Sequence, residues 1–273
     1  MLRYLSLLAA VLLTSTITGN GAIAAGVPSY IATAVGDGAR PDADKQRDAN
    51  RKPAETLEFA GVKPGEQIAE YLPGGGYFTR IFSKAVGANG QVYALVPGRA
   101  AKAPADMPAK APADMPAKAP ADMPDMAARV KAIASDVNYP NVTVIAAPFA
   151  KLAAPVPVDM AWISQNYHDL HNFPGVDVPA FNKMVFDSLK PGGTYIVLDH
   201  AAAAGSGARD TGTLHRIDPE TVKAEVLAAG FVLVSTSDLL KQTADDHTAR
   251  VIDPAVRGKT DQFILKFRKP AKN

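Results

Sequence analysis

The sequence predicts an α/β fold built on an open, mostly parallel sheet. Three observations carry that expectation. Gln67 to Leu72 reads as a strand, Pro73 to Gly76 as a glycine-rich turn, and Tyr77 to Val86 as a helix closed by Gly87. Val142 to Ala146 and Val158 to Ser164 are apolar enough to be parallel strands buried on both faces. Strands alternate with helical segments along the chain, which implies crossover connections and a doubly wound sheet.

From the N-terminus, Arg3, the apolar run Tyr4 to Leu13 and the tripeptide Ala22-Ile23-Ala24 read as a secretory signal peptide over 1–24, cleaved after Ala24. The run is too short to span a bilayer. The expected location is therefore periplasmic or secreted, with no stable membrane insertion after cleavage. The chain has no cysteine, which excludes disulfides and lipidation at a cysteine. Cleavage leaves about 250 residues, enough for one well-buried α/β domain. A net charge of +2 argues against a nucleic-acid partner.

Residues 25–44, rich in Ala, Gly and Pro, read as a flexible leader, and 45–270 as a single domain. Arg47 to Ala60 forms a helix interrupted or restarted near Pro53. Gln91 to Val96 is the second strand. The octet that begins at Lys102 then recurs at Lys110 and Lys118. Two prolines in each octet forbid a regular helix or central strand, so 102–124 is expected to be a disordered insertion. Order resumes with a helix over Met126 to Ala134. A second helix over Pro179 to Leu189 carries its proline early. Lys190-Pro191-Gly192-Gly193 turns into the strand Thr194 to Leu198. Asp218 caps a helix with Pro219 in its first turn, and Gly230 ends it. Phe231 to Leu240 and Asp261 to Arg268 are two strands in succession, so the last is expected to run antiparallel.

The chemistry concentrates in two places. Gly74, Gly75 and Gly76 carry no Cβ, so the backbone can bend sharply and approach a ligand. The helix that follows points free N–H groups at the same place. Glu70, at the strand end, can accept hydrogen bonds from hydroxyl or amino groups. Together these make a pocket for a nucleotide-like ligand. The dinucleotide fingerprint G-x-G-x-x-G fits at Gly74 and Gly76, but Thr79 stands at its third position. A phosphate-binding loop is absent: Gly258-Lys259-Thr260 has Asp253 where the loop needs glycine.

The second place is histidine-rich. His168, His171, His200, His215 and His247 all fall in loops beyond strand ends, at the edge where open α/β sheets bind ligands. Tyr167, His168, Asp169, Asp199 and His200 are expected to line a cleft able to remove a proton from a hydroxyl or amine. His and Asp also suit a divalent metal, but His168-x-x-His171 matches no strong metal signature, so no metal ligands are assigned. Arg47, Asp48, Arg51 and Lys52 sit at helical spacings, either as a solvated ion-paired face or as a cover for the pocket.

Several of these residues resemble a known group. Arg47 to Gly61, Pro73 to Thr79, Asn166 to Asp169, Leu198 to Ala201, Leu214 to Asp218 and Arg257 to Phe263 look like the predicted exported methyltransferases of bacteria. An acid four residues before Gly-x-Gly likewise resembles motif I of class I S-adenosylmethionine-dependent methyltransferases. The resemblance covers about Arg47 to Pro270 apart from the proline repeats. It implies a Rossmann-like class I methyltransferase fold, a seven-stranded mostly parallel sheet with helices on both faces. It also implies S-adenosyl-L-methionine as cofactor, held by Glu70, Gly74, Gly75 and Gly76, with Asn166 and Tyr167 facing cofactor and substrate. The methyl acceptor is not identified. Two positions depart from the superfamily pattern. Leu72 replaces a glycine, and Val96-Pro97-Gly98-Arg99 stands where an acid normally grips the ribose hydroxyls. Arg99 would suit a 2′-phosphate, which keeps a dinucleotide phosphate open as ligand. A catalytically silent ligand-binding protein of the same fold, and a metal-dependent hydrolase, remain the alternative functions.

Overall fold

The computed structural model describes residues 26–98 and 126–271. The stretch expected to be a signal peptide, Arg99 and the proline repeats lie outside the described residues. Seven strands form one sheet in the order β3-β2-β1-β4-β5-β7-β6. β1 (Gln67–Tyr71) lies between β2 (Gln91–Pro97) and the central β4 (Val158–Ser164), parallel to both. β3 (Val142–Ala147) extends the sheet beyond β2, and β5 (Leu189–His200) runs parallel beside β4. β7 (Gln262–Arg268) enters antiparallel between β5 and the edge strand β6 (Val232–Ser237), as two strands in succession require. The chain order therefore reverses between β1 and β4, and this switch point is where such sheets open a crevice.

Strand alternation divides the interior into two cores. Ile68, Met160, Trp162 and Ile196 face one side, where they meet α1 (Ser29–Val35), α4 (Pro53–Ala60), α5 (Tyr77–Val86) and α6 (Met126–Ala134). Ala69, Tyr71, Ile163 and Val197 face the other, against α7 (Val178–Ser188) and α8 (Pro219–Ala228). α8 begins where its capping residues predict: the Asp218 carboxylate accepts from the Glu220 N–H at 3.0 Å. α7 is capped the same way by Asp177, which accepts from the Ala180 N–H.

Two expectations need correction. The stretch expected as a flexible leader is ordered from residue 26 onward and belongs to the domain. Ile31 and Ala34, one helical turn apart on α1, are buried in the core beside α5. The Tyr30 hydroxyl ties α1 to the Val62 carbonyl at 2.7 Å. α2 (Asp42–Lys45) and α3 (Asp48–Arg51) follow, and a left-handed Lys52 (φ 41°) separates α3 from α4. The second correction concerns Lys190 to Gly193, expected as a turn before β5. These residues stay paired, because the N–H of Gly192 and the carbonyl of Gly193 both bond to Lys269. Among the described residues, no helix is long and apolar enough to cross a membrane.

Candidate functional site

β1 and β4 end side by side, with Tyr71 opposite Ile163. Each strand leaves the sheet through a left-handed residue that is not glycine: Leu72 (φ 54°) after β1 and Gln165 (φ 59°) after β4. Such conformations are costly for side chains with a Cβ and collect at functional sites. Between the two exits lies a cavity of about 240 Å³. Its wall includes Glu70, Gly74, Gly75, Ser164, Gln165 and Asn166. Asn166 also fastens the strand exits together, donating to the carbonyls of Leu72 (3.1 Å) and Ser164 (2.8 Å).

The three glycines differ in role. Gly76 (φ 78°) caps α5, and a Cβ there would stand 2.1 Å from Ile133 Cδ1, so it serves packing and does not itself line the cavity. Gly74 (φ 59°) supplies the left-handed turn. At Gly75 a Cβ would meet nothing within 4 Å, and the backbone there is ordinary, so a side chain could enter the open space.

Glu70 is buried beneath this turn and accepts from the Thr79 hydroxyl at 2.5 Å. Burial pushes its carboxyl up to about 8, against the smaller opposing pull of Thr79, Arg51 and Arg80. The Ser164 hydroxyl, also on the cavity wall, is buried without a hydrogen-bond partner.

A cationic cover closes the cavity. Arg51 of α3 donates to the Gln165 side chain and lies 4.5 Å from the ring centre of Tyr77, and Arg47 lies 4.9 Å from the same ring. Asp48 anchors the group, accepting from the Tyr77 hydroxyl at 2.6 Å and from the buried Arg40 at 2.7 Å. Burial lowers the Arg51 guanidinium to about 10, so it remains cationic at neutral pH. Both options that the sequence leaves for this stretch occur: Arg47 and Arg51 line the cavity, while Arg47 stays half-exposed and pairs with Asp44 three residues earlier. Ser164 and Gln165 had no distinctive sequence signal, since each is placed by a neighbouring element.

The second centre stands at the ends of β4 and β5. Asp199, fully buried, accepts from the His168 backbone N–H at 2.7 Å and the His200 N–H at 2.8 Å, and contacts His168 Nδ1 at 2.8 Å. Burial alone would raise Asp199, but the His168 imidazole and these donors hold it below the usual carboxylate range. Burial likewise disfavours charge on His168, yet the Asp199 carboxylate outweighs it and raises His168 above its ordinary value. At His200 burial, together with the nearby His168, Arg216 and Arg51, outweighs the same pull of the Asp199 carboxylate. His200 is lowered to about 4, and its Nδ1 pairs with the Thr260 hydroxyl at 2.9 Å.

Asp169 lies on the outer side of His168, 3.4 Å from Nε2. His168, Asp169, Asp199 and His200 lie close together, and His215 joins them across a long loop, 3.6 Å from Asp169. The other two histidines do not: His171 turns to Glu225 and His247 to Asp261. Tyr167 is a correction. Its ring is buried among the residues packed under α7 and α8, and its hydroxyl bonds Glu225 and Asn182, away from the cleft. The 3₁₀ turn that begins at His168 points successive side chains in different directions, so adjacency in sequence does not place Tyr167 beside His168.

No protein-family model and no curated protein matches the sequence. Solved structures do match in fold. A SAM dependent methyltransferase from Aquifex aeolicus superposes with a TM-score of 0.51 at 15% identity, over 78% of this chain and 87% of that one. The [4+2]-cyclase SpnF gives 0.52 at 16% identity, over 86% of this chain and 85% of that one. The glycopeptide N-methyltransferase MtfA, complexed with sinefungin, gives 0.51 at 14% identity, over 82% and 87%. The chain thus has the seven-stranded Rossmann-like fold of class I methyltransferases. A methyltransferase and a cyclase share that architecture, so the fold alone does not assign the reaction.

Proposed function

We propose that the protein is an S-adenosylmethionine-dependent methyltransferase acting on a small or exposed acceptor in the cell envelope. The observation that carries this reading is the cavity at the switch point, lined by Glu70, the glycine turn and Asn166, with the His168–Asp199 pair at the ends of the adjoining strands β4 and β5. The donor set fits the cofactor. Glu70 and the unpartnered Ser164 hydroxyl offer hydrogen bonds to hydroxyl and amino groups, and Arg47 and Arg51 offer cations to a carboxylate. Gly75 leaves the close approach open. When bound, S-adenosylmethionine supplies an electrophilic methyl group.

The chain's own residues supply alignment and proton removal. Glu70, Asn166 and the glycine turn hold the cofactor side. His168 Nε2 takes the proton from the acceptor, while Asp199 fixes the ring through Nδ1 and stabilises the resulting imidazolium. Rate enhancement would come mainly from holding the acceptor in line. The N-terminal stretch that reads as a secretory signal supports an acceptor in the envelope.

A second reading, a ligand-binding protein of the same fold without turnover, is favoured by one observation: β2 ends at Pro97, and Gly98 follows, with no carboxylate there for a ribose. The covered cavity is smaller than the roughly 300–1,000 Å³ usual for small-molecule sites, so under either reading Arg47 and Arg51 must swing outward to admit the ligand.

Calorimetry of the chain with S-adenosylmethionine and S-adenosylhomocysteine tests the pocket, with Gly75→Asp as the control. Binding is expected in the native protein and lost in the variant, whose fold the open space around Gly75 should preserve. Absence of binding by folded native protein at millimolar cofactor would falsify the methyltransferase reading. Binding without transfer to any envelope acceptor fraction would favour the second.

A further inference from the structure

Among the described residues, one group of His and Asp side chains has the spacing of a cation site. One ligand atom each from His168, Asp169 and His215 lies within 4.8 Å of the others. Asp169 Oδ1 stands 3.4 Å from His168 Nε2 and 3.6 Å from His215 Nδ1. Both separations exceed the usual hydrogen-bond range of about 2.7–3.2 Å. They are close to the ~3.3 Å edge of a tetrahedron built on metal–ligand bonds of about 2.0–2.1 Å. We propose that His168, Asp169 and His215 form a site for a divalent transition-metal ion such as Zn²⁺.

Three features of the surroundings support this assignment. Asp199 contacts His168 Nδ1 at 2.8 Å, and a carboxylate on the far nitrogen is the usual support of a metal-bound histidine. It fixes the tautomer so that the Nε2 lone pair faces Asp169. His215 is held in a left-handed conformation (φ 56°), which brings its ring to 5.4 Å from that of His168, nearly perpendicular. Two imidazoles and one carboxylate also form a set that suits zinc or iron and leaves coordination positions open. His200 is not part of the converging group, whose ligand atoms come from His168, Asp169 and His215. Arg250 Nη2 lies 3.4 Å from His215 Nε2 at the surface, and it must turn away so that Nε2 carries the ring proton when Nδ1 binds the cation.

This inference goes beyond the methyltransferase reading and does not depend on it. With the cation bound, His168 is a ligand and no longer a proton acceptor. Acidification of an acceptor hydroxyl or a water at an open position then takes over that role. The local sequence does not reveal the set, because His215 reaches Asp169 only through the long loop after β5.

Tag-free chain stripped with chelator should be titrated with Zn²⁺ by calorimetry, and with Co²⁺ while visible d–d bands are recorded. One ion per chain is expected, together with the bands of low-symmetry nitrogen and oxygen coordination. His215→Ala and Asp169→Asn should each weaken binding by at least about 10-fold, and His247→Ala should leave it unchanged. No binding by the native chain, or binding that survives both ligand substitutions, overturns the site. S-adenosylmethionine titrated into the same stripped protein keeps the two proposals apart: cofactor binding without zinc removes the metal site alone, and zinc without cofactor removes the other reading.

Discussion

Glu70 and Asp199 are both sealed from solvent at the same edge of one sheet, yet their carboxyls are held in opposite states. Burial raises both. Glu70 receives one hydroxyl and feels two arginines, too little to offset its desolvation, so it titrates at about 8 and is largely neutral below that pH. Asp199 receives two backbone N–H groups and an imidazole, and it stays ionised below the ordinary range. The depth of a carboxyl therefore does not set its charge; the donors aimed at it do. A neutral Glu70 can donate as well as accept toward a ligand, whereas the anionic Asp199 is a fixed orienting group.

The sharpest way to break this comparison is pH-dependent stability. A carboxyl raised from its ordinary 4.5 to about 8 contributes stability that is complete below 4.5 and lost as pH rises through 8. Glu70→Gln keeps an acceptor for Thr79 and cannot ionise. In urea unfolding, native protein and variant should be equally stable near pH 4. From about pH 4.5 upward the variant should become progressively the more stable, by up to about 5 kcal/mol once the pH passes 8, at ~1.4 kcal/mol per unit. Parallel stability curves would show that Glu70 is not held neutral.

Asp199→Asn is the complementary test and should act in the other direction. The new amide N–H₂ must face at least one of the N–H groups that Asp199 now accepts, and His168 loses its counter-charge. Loss of about 3 kcal/mol is expected at neutral pH. A loss below 1 kcal/mol (about one ordinary hydrogen bond) would mean that Asp199 holds no charged partner.

The same contrast explains what the sequence could reveal. The glycine turn was legible because its backbone geometry demands glycine, and the strands because burial on both faces demands continuous apolar runs. α1 was not, since two buried apolar residues, Ile31 and Ala34, are lost among small residues until α5 is there to receive them. The Arg51–Gln165 contact joins residues 114 positions apart, and no local pattern encodes it. His168 and Asp199 were legible as residue types at two strand ends. Their difference from Glu70 was not, because it rests on which backbone groups converge on each carboxyl.

Tyr167 gives the smallest expected effect and tests how far the cleft extends. Its sequence neighbours place it beside His168, but its hydroxyl donates to Glu225 at 2.9 Å and accepts from the buried Asn182 at 2.7 Å. Tyr167→Phe removes the acceptor that Asn182 uses and leaves the ring packing intact. Stability should fall by about 1 kcal/mol, read from the urea midpoint at unchanged slope. Cofactor affinity and transfer rate should not change, since the hydroxyl faces α7 and α8 and not the Asp199 side of His168. If transfer fell while stability held, the hydroxyl would have to reach the cleft, and the separation between the two regions would fail at this residue.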